Sequence, residues 1–184
     1  KFEEIGQEWS SGLVMLSLGD YHLHTNNFGK ALELMDRGYK THEEIGSVSF
    51  KSGFLYRLGL INFYLNEHLI AIDYFEKTLS HIREAKKNAF TASKEYIILN
   101  LFYCYKVVGK KYDKQEIINS IKEENNISWH ENYLIAQLLE DNSYLKTAYQ
   151  QVMEEANEIE DKFVNNFLTS LIPSAIVEGW EKVK

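Results

Sequence analysis

The feature that most constrains this chain is that it repeats itself. Leu18-Gly19 is followed twelve residues later by Ala31, and Leu58-Gly59 is followed at the same distance by Ala71. The offset between the two copies is 59 − 19 = 40 residues, and Glu3-Glu4-Ile5-Gly6 recurs as Glu43-Glu44-Ile45-Gly46 at that same offset. A fixed period of this size marks an array of supersecondary units that bury their apolar faces against one another. Each copy reads as two amphipathic helices. Leu13, Leu16, Leu18 and Tyr21 precede a break at Thr25-Asn26-Asn27, where short polar side chains favour a turn. Ala31, Leu34, Met35 and Gly38 then recur at helical spacing. In the second copy Leu55, Leu58 and Ile61 lead to a break near Asn66-Glu67, followed by Ala71, Tyr74, Phe75 and Thr78. Gly19 with Ala31, and Gly59 with Ala71, let two helices approach closely, because larger side chains would hold the axes apart. The expected architecture is all-α. A single proline in 184 residues agrees with long helices.

Downstream the pattern loosens. Lys94 to Val108 is apolar almost all round, as expected of a helix buried on several sides, and Gly109 ends it. Asp113 to Ile121 reads as a shorter partner helix, and the segment ENNIS as a loop. Trp129 to Leu139 and Tyr144 to Ile159 read as a further pair. Phe163 to Leu171 reads as one more helix, broken by Pro173, before a short helix carrying Ile176, Val177 and Trp180.

The residues Leu18, Gly19, Phe28, Ala31, Met35 and Gly38, and again Leu58, Gly59, His68, Ala71, Phe75 and Thr78, resemble the tetratricopeptide repeat in a long variety. His68 stands where that family usually has an aromatic residue, and Gly38 and Thr78 where it has alanine. The family's ordinary period is 34 residues, and six more at about 1.5 Å each add roughly 9 Å of helix to every pair. The resemblance implies a right-handed helical-hairpin solenoid with a C-terminal capping helix, forming one domain over residues 1–184. Within it, residues 1–12 are the end of a preceding repeat, 13–46 and 53–87 are repeats, 91–122 and 128–160 are degenerate repeats, and 161–184 are the cap, with Ile176 and Trp180 folding over the last pair. The tail is similar to the segment closing repeat arrays in large bacterial signalling proteins, which carry an ATPase, nucleotide cyclase, kinase or DNA-binding domain upstream. On that likeness the chain is expected to be the regulatory C-terminal part of such a protein.

Chemistry-bearing motifs are sparse. His22 and His24 are two apart, which on a helix places them on different faces, and His130-Glu131 lacks the second histidine of a zinc-protease pattern. Cys104, the single cysteine, lies among apolar residues and reads as a buried inert thiol. Phosphate loops and Gly-x-Ser-x-Gly turns are absent from the sequence, so neither enzyme activity nor cofactors are expected. A net charge of −7 disfavours nucleic acid, which demands a basic face. No apolar run approaches a membrane span, and no signal-peptide pattern opens the chain, so the expected setting is cytoplasmic.

What remains is the concave groove that the resemblance implies. The family's groove positions fall on Leu16, Asp20, Leu23 and His24 in the first pair and on Tyr56, Leu60, Phe63 and Tyr64 in the second. The expected function is a non-catalytic scaffold that binds a protein or peptide on this face, with the aromatics as anchors. Leu16 and Asp20 stand in places where one family subset carries residues that grip a C-terminal carboxylate, which disfavours that ligand. The second reading is a ligand-sensing switch that binds a signalling peptide, as pheromone receptors of Gram-positive bacteria do.

Overall fold

The computed structural model of the chain describes residues 2–85, 91–123 and 126–184. Among the described residues there are ten α-helices and no strand. They run α1 Phe2–His24, α2 Phe28–Glu44, α3 Val48–Tyr64, α4 His68–Ala85, α5 Lys94–Val107, α6 Lys114–Glu123, α7 Trp129–Leu139, α8 Asn142–Glu158, α9 Asp161–Leu168 and α10 Leu171–Glu181. The all-α expectation holds. The chain divides into two compact units, Lys1–Lys110 and Lys111–Lys184. Gly109 closes α5 in the left-handed conformation, so α5 ends the first unit, and α6 opens the second.

In the first unit α2 packs on both α1 and α3, and α4 on both α3 and α5, while α1, α3 and α5 also touch in succession. The three-residue turns explain this regularity. After α1 the Asn27 N–H donates to the His22 carbonyl at 2.8 Å and the Asn26 N–H to Leu23 at 3.1 Å. The same pair of bonds recurs from Ser47 to His42 and Gly46 to Glu43, and from Glu67 to Asn62 and Asn66 to Phe63. Such bonds satisfy carbonyls that a helix end leaves without partners, and they demand one left-handed residue. That residue is Asn26, Gly46 or Asn66, with φ of 57°, 74° and 61°. The turns therefore fall every 20 residues, a halving of the 40-residue period that the side chains had not disclosed.

Four helical glycines mark where the helices meet. A Cβ placed on Gly59 would stand 2.6 Å from the Phe75 ring, and one on Gly19 would collide with Met35. Met35 and Phe75 are equivalent across the period and fully buried, as are Ala31 and Ala71. A Cβ on Gly38 would collide with Phe54, and one on Gly12 would lie 2.7 Å from Phe50. In α5 the six residues from Ile97 to Phe102 are all buried, so that helix is surrounded, as its composition implied. Ser93 caps it by accepting the Tyr96 N–H at 3.1 Å.

Two boundaries differ from expectation. The break between residues 12 and 13 is absent, because α1 runs without interruption from Phe2 to His24. The side chains of Glu3, Glu4 and Ile5, and the expected repeat end at residue 87, lie outside the described residues. In the second unit the helix break falls at Thr169-Ser170 and not at Pro173, which sits in the first turn of α10, where the missing N–H has no helical acceptor to serve. The α7 start carries a reciprocal Ser128–Glu131 capping box. Ile176 of α10 is buried with Ala136, Leu145, Ala148 and Val152, and Trp180 lies 6.2 Å from Tyr149. The C-terminal helix thus covers α8.

Cys104 is buried, and burial pushes its thiol up to about 12. Its sulfur lies 3.8 Å from His68 Nδ1. Only on the order of one thiol in ten thousand is ionised at pH 8, and the thiolate is the reactive form. Alkylation of the native protein by iodoacetamide at pH 8 will be slower than in urea by 100-fold or more. Equal rates, read by mass spectrometry, would show the α4–α5 contact to be open in solution.

Candidate functional site

The polar centre of the α1, α3 and α5 side is an ion pair. Arg57 Nε and Nη2 each donate to one Asp20 carboxylate oxygen at 2.6 Å, and Nη1 donates to the Gly53 carbonyl at 3.3 Å. This two-pronged geometry gives direction as well as attraction. The Arg57 and Asp20 side chains keep 19% and 33% of their exposure, so the pair stays in reach of solvent. From Ser52 to Asn62 every residue of α3 is buried except Arg57. Arg57 is the one point on that stretch from which α3 can address a ligand.

Arg57 and Asp20 stand in the wall of a cavity of about 520 Å³, together with Leu13, Leu16, Ser17, Tyr56, Thr91 and Ala92. Among the described residues the buried Thr91 hydroxyl has no hydrogen-bond partner. A cavity of mixed apolar and polar lining with one ion pair in its wall has the composition of a binding site for a small polar group on a larger ligand.

The eight expected groove residues separate into distinct places. Leu16, Asp20 and Tyr56 reach the cavity. Tyr56 is only 6% exposed, with its ring 6.2 Å from Phe75 and 6.3 Å from Tyr96, and burial holds its hydroxyl well above the usual range. It forms part of the wall and cannot project as an anchor. Leu23 and Leu60 are buried, and His24 is exposed. Phe63 and Tyr64 belong to an aromatic cluster at the C-terminal end of α3. Tyr64 stacks on Phe28 at 6.3 Å, and Phe63 lies 5.3 Å from Tyr103 and 6.0 Å from His68. Burial pushes the Tyr64 hydroxyl up to about 12.

Arg57 was absent from the expected set. Its signal was in the sequence. Asp20 is the sole acidic or basic residue apart from histidine between Ser10 and His24, and α3 holds only Lys51 and Arg57. The stretches Ser10–His24 and Ser52–Tyr64 each carry one such charge, of opposite sign, and in helices this apolar the two are best placed against each other. Among the described residues no three His, Cys, Asp or Glu side chains gather as metal ligands. No described helix is long and apolar enough to cross a membrane. Neither a protein-family model nor a curated protein matches this chain.

Proposed function

We propose that this protein is a non-catalytic interaction module that binds a peptide segment of a partner protein at the Asp20–Arg57 cavity. The single observation that carries the reading is that cavity: a solvent-reachable paired charge in a wall shared with Leu13, Leu16, Ser17, Tyr56, Thr91 and Ala92. The pair is electrically neutral. Arg57 has N–H groups to spare for a carbonyl, and Asp20 has lone pairs to spare for an N–H. A peptide amide offers both at once, so main-chain recognition suits the site better than a charged terminus. In this reading the α1–α2 and α3–α4 hairpins are tetratricopeptide-like repeats stacked as a solenoid within the first unit, supported by the 40-residue period and the matching Gly19–Met35 and Gly59–Phe75 contacts. The likeness of the tail supports a regulatory role within a bacterial signalling protein. The unpaired, buried Cys104 supports a reducing, cytoplasmic setting.

Panning a phage-displayed peptide library against the intact chain tests the reading. Ser17 is exposed beside the cavity, so Ser17→Trp fills the space without entering the core. Selected peptides are expected to lose about 2 kcal/mol or more of binding to Ser17→Trp and to Arg57→Gln, while circular dichroism melts stay close to those of the parent. A library that yields no binder, or binders indifferent to both substitutions, would end the proposal.

A further inference from the structure

The second unit holds a cavity of its own, with a volume of about 520 Å³ that suits a small molecule. Its walls come from the loop before α7, from α7 and from α8. Three carboxamides line it, those of Asn126, Asn132 and Gln151, together with Ser143, Thr147 and the Tyr144 ring. No charged side chain among the described residues takes part. A hydrogen-bond network fixes which way the two inner amides point. The Ile127 carbonyl can only accept, and it receives Asn132 Nδ2 at 3.1 Å and Gln151 Nε2 at 2.8 Å, which occupies both of its lone pairs. Asn132 Nδ2 gives its other hydrogen to Gln151 Oε1 at 3.0 Å. Asn132 is only 3% exposed, so packing holds this arrangement in place.

The capacity left over is then defined. Among the described residues Asn132 Oδ1 receives no donor, Gln151 Nε2 keeps one N–H, and the Tyr144 hydroxyl has no partner. Thr147 spends its hydrogen on the Ser143 carbonyl at 3.1 Å and keeps its lone pairs. Donors and acceptors therefore stand together, and all of them are neutral. A phosphate or carboxylate only accepts and an ammonium only donates. Either would leave half of these groups unpaired, with no opposite charge in the wall to offset its own desolvation. An apolar ligand would strand them all. A sugar hydroxyl donates and accepts at once, and a pyranose carries several around a ring whose C–H face suits the negative face of an aromatic. We propose that this cavity binds a neutral pyranose sugar, with Asn132, Gln151 and Thr147 engaging its hydroxyls and Tyr144 its ring. A peptide main chain shares the balance of donors and acceptors, but it spreads them along a strand at about 3.3 Å per residue. A pyranose gathers them within one ring, as a compact cavity demands.

Saturation-transfer difference NMR on the intact chain tests this, with the methyl pyranosides of glucose, galactose, mannose and N-acetylglucosamine as probes. At least one is expected to bind, and about tenfold or more tightly than methyl glucuronide, which sets a carboxylate on the same ring. Thr147 is exposed, so Thr147→Trp fills the cavity without entering the core and should remove the signal, while the thermal melt checks that the fold is retained. Tyr144→Phe keeps the ring, drops only the hydroxyl, and should weaken binding about threefold or more. Silence from all the pyranosides, equal binding of the glucuronide, or binding unchanged in both variants would overturn the proposal. So would stronger binding of acetyl-dialanine methylamide that Thr147→Trp abolishes, which would make a peptide the occupant.

Discussion

Gly59→Leu is expected to be among the most damaging single substitutions available in this protein. A Cβ at that position already stands 2.6 Å from the Phe75 ring, and leucine adds three more carbons where α3 and α4 cross. Phe75 is fully buried and has nowhere to retreat. Overpacking of this sort costs typically 1–3 kcal/mol and occasionally more. The absence of slack on both sides puts this case at about 3 kcal/mol or above, after the gain of roughly 1 kcal/mol that any residue better than glycine brings to a helix interior. Gly29 is the control. A Cβ there meets nothing within 4 Å, so Gly29→Ala should be neutral or slightly stabilising. Urea titrations followed at 222 nm would decide it, and a neutral Gly59→Leu would show the α3–α4 crossing to be wider than described.

The second large effect lies at the α2–α3 crossing. Phe54→Ala should cost about 3–5 kcal/mol, the range for a fully buried phenylalanine. Gly38→Ala alone should also destabilise, because its methyl group collides with that same ring. With Phe54 removed the collision disappears, and the helix-forming advantage of alanine over glycine, roughly 1 kcal/mol, is all that remains. In the Phe54→Ala background Gly38→Ala is therefore expected to stabilise. A reversal of sign across a double-mutant cycle is a strong signature of direct contact. Additivity would mean that the ring and the glycine do not touch.

These contacts also show what a one-dimensional reading can and cannot reach. Gly19 and Gly59 were legible as crossing points because a helix glycine standing twelve residues before an alanine, twice over, leaves room for a neighbouring helix at the same place in each copy. The bounds of α7 were legible from the Trp129–Leu139 run that follows the ENNIS loop. Tyr56 misled for a definite reason. Family groove positions assume that one face of each first helix is open, whereas α3 is touched by α1, α2, α4 and α5 and keeps almost none of its surface. Between Ser52 and Asn62 what survives is one partly exposed guanidinium, and its importance depends on Asp20, 37 residues away. Pairings at that distance follow from how helices rotate on packing, which no local pattern encodes. The division after Lys110 was hidden for a similar reason. The apolar girth of α5 says that it is surrounded, but not by which neighbours.

The turns at Asn26, Gly46 and Asn66 impose an arithmetic on how this chain can change length. Adding one residue inside α3 would rotate everything after it by about 100° and carry the remainder of that helix about 1.5 Å along its axis. An insertion before Arg57 would take it away from Asp20, and one after Gly59 would take Phe75 away from that glycine. Adding residues in whole frames of 40 preserves every phase, because each new hairpin presents the faces that its neighbours already accept. Insertions and deletions in this molecule are therefore quantised: single steps scramble the interior, and full frames lengthen the first unit without altering the character of any junction.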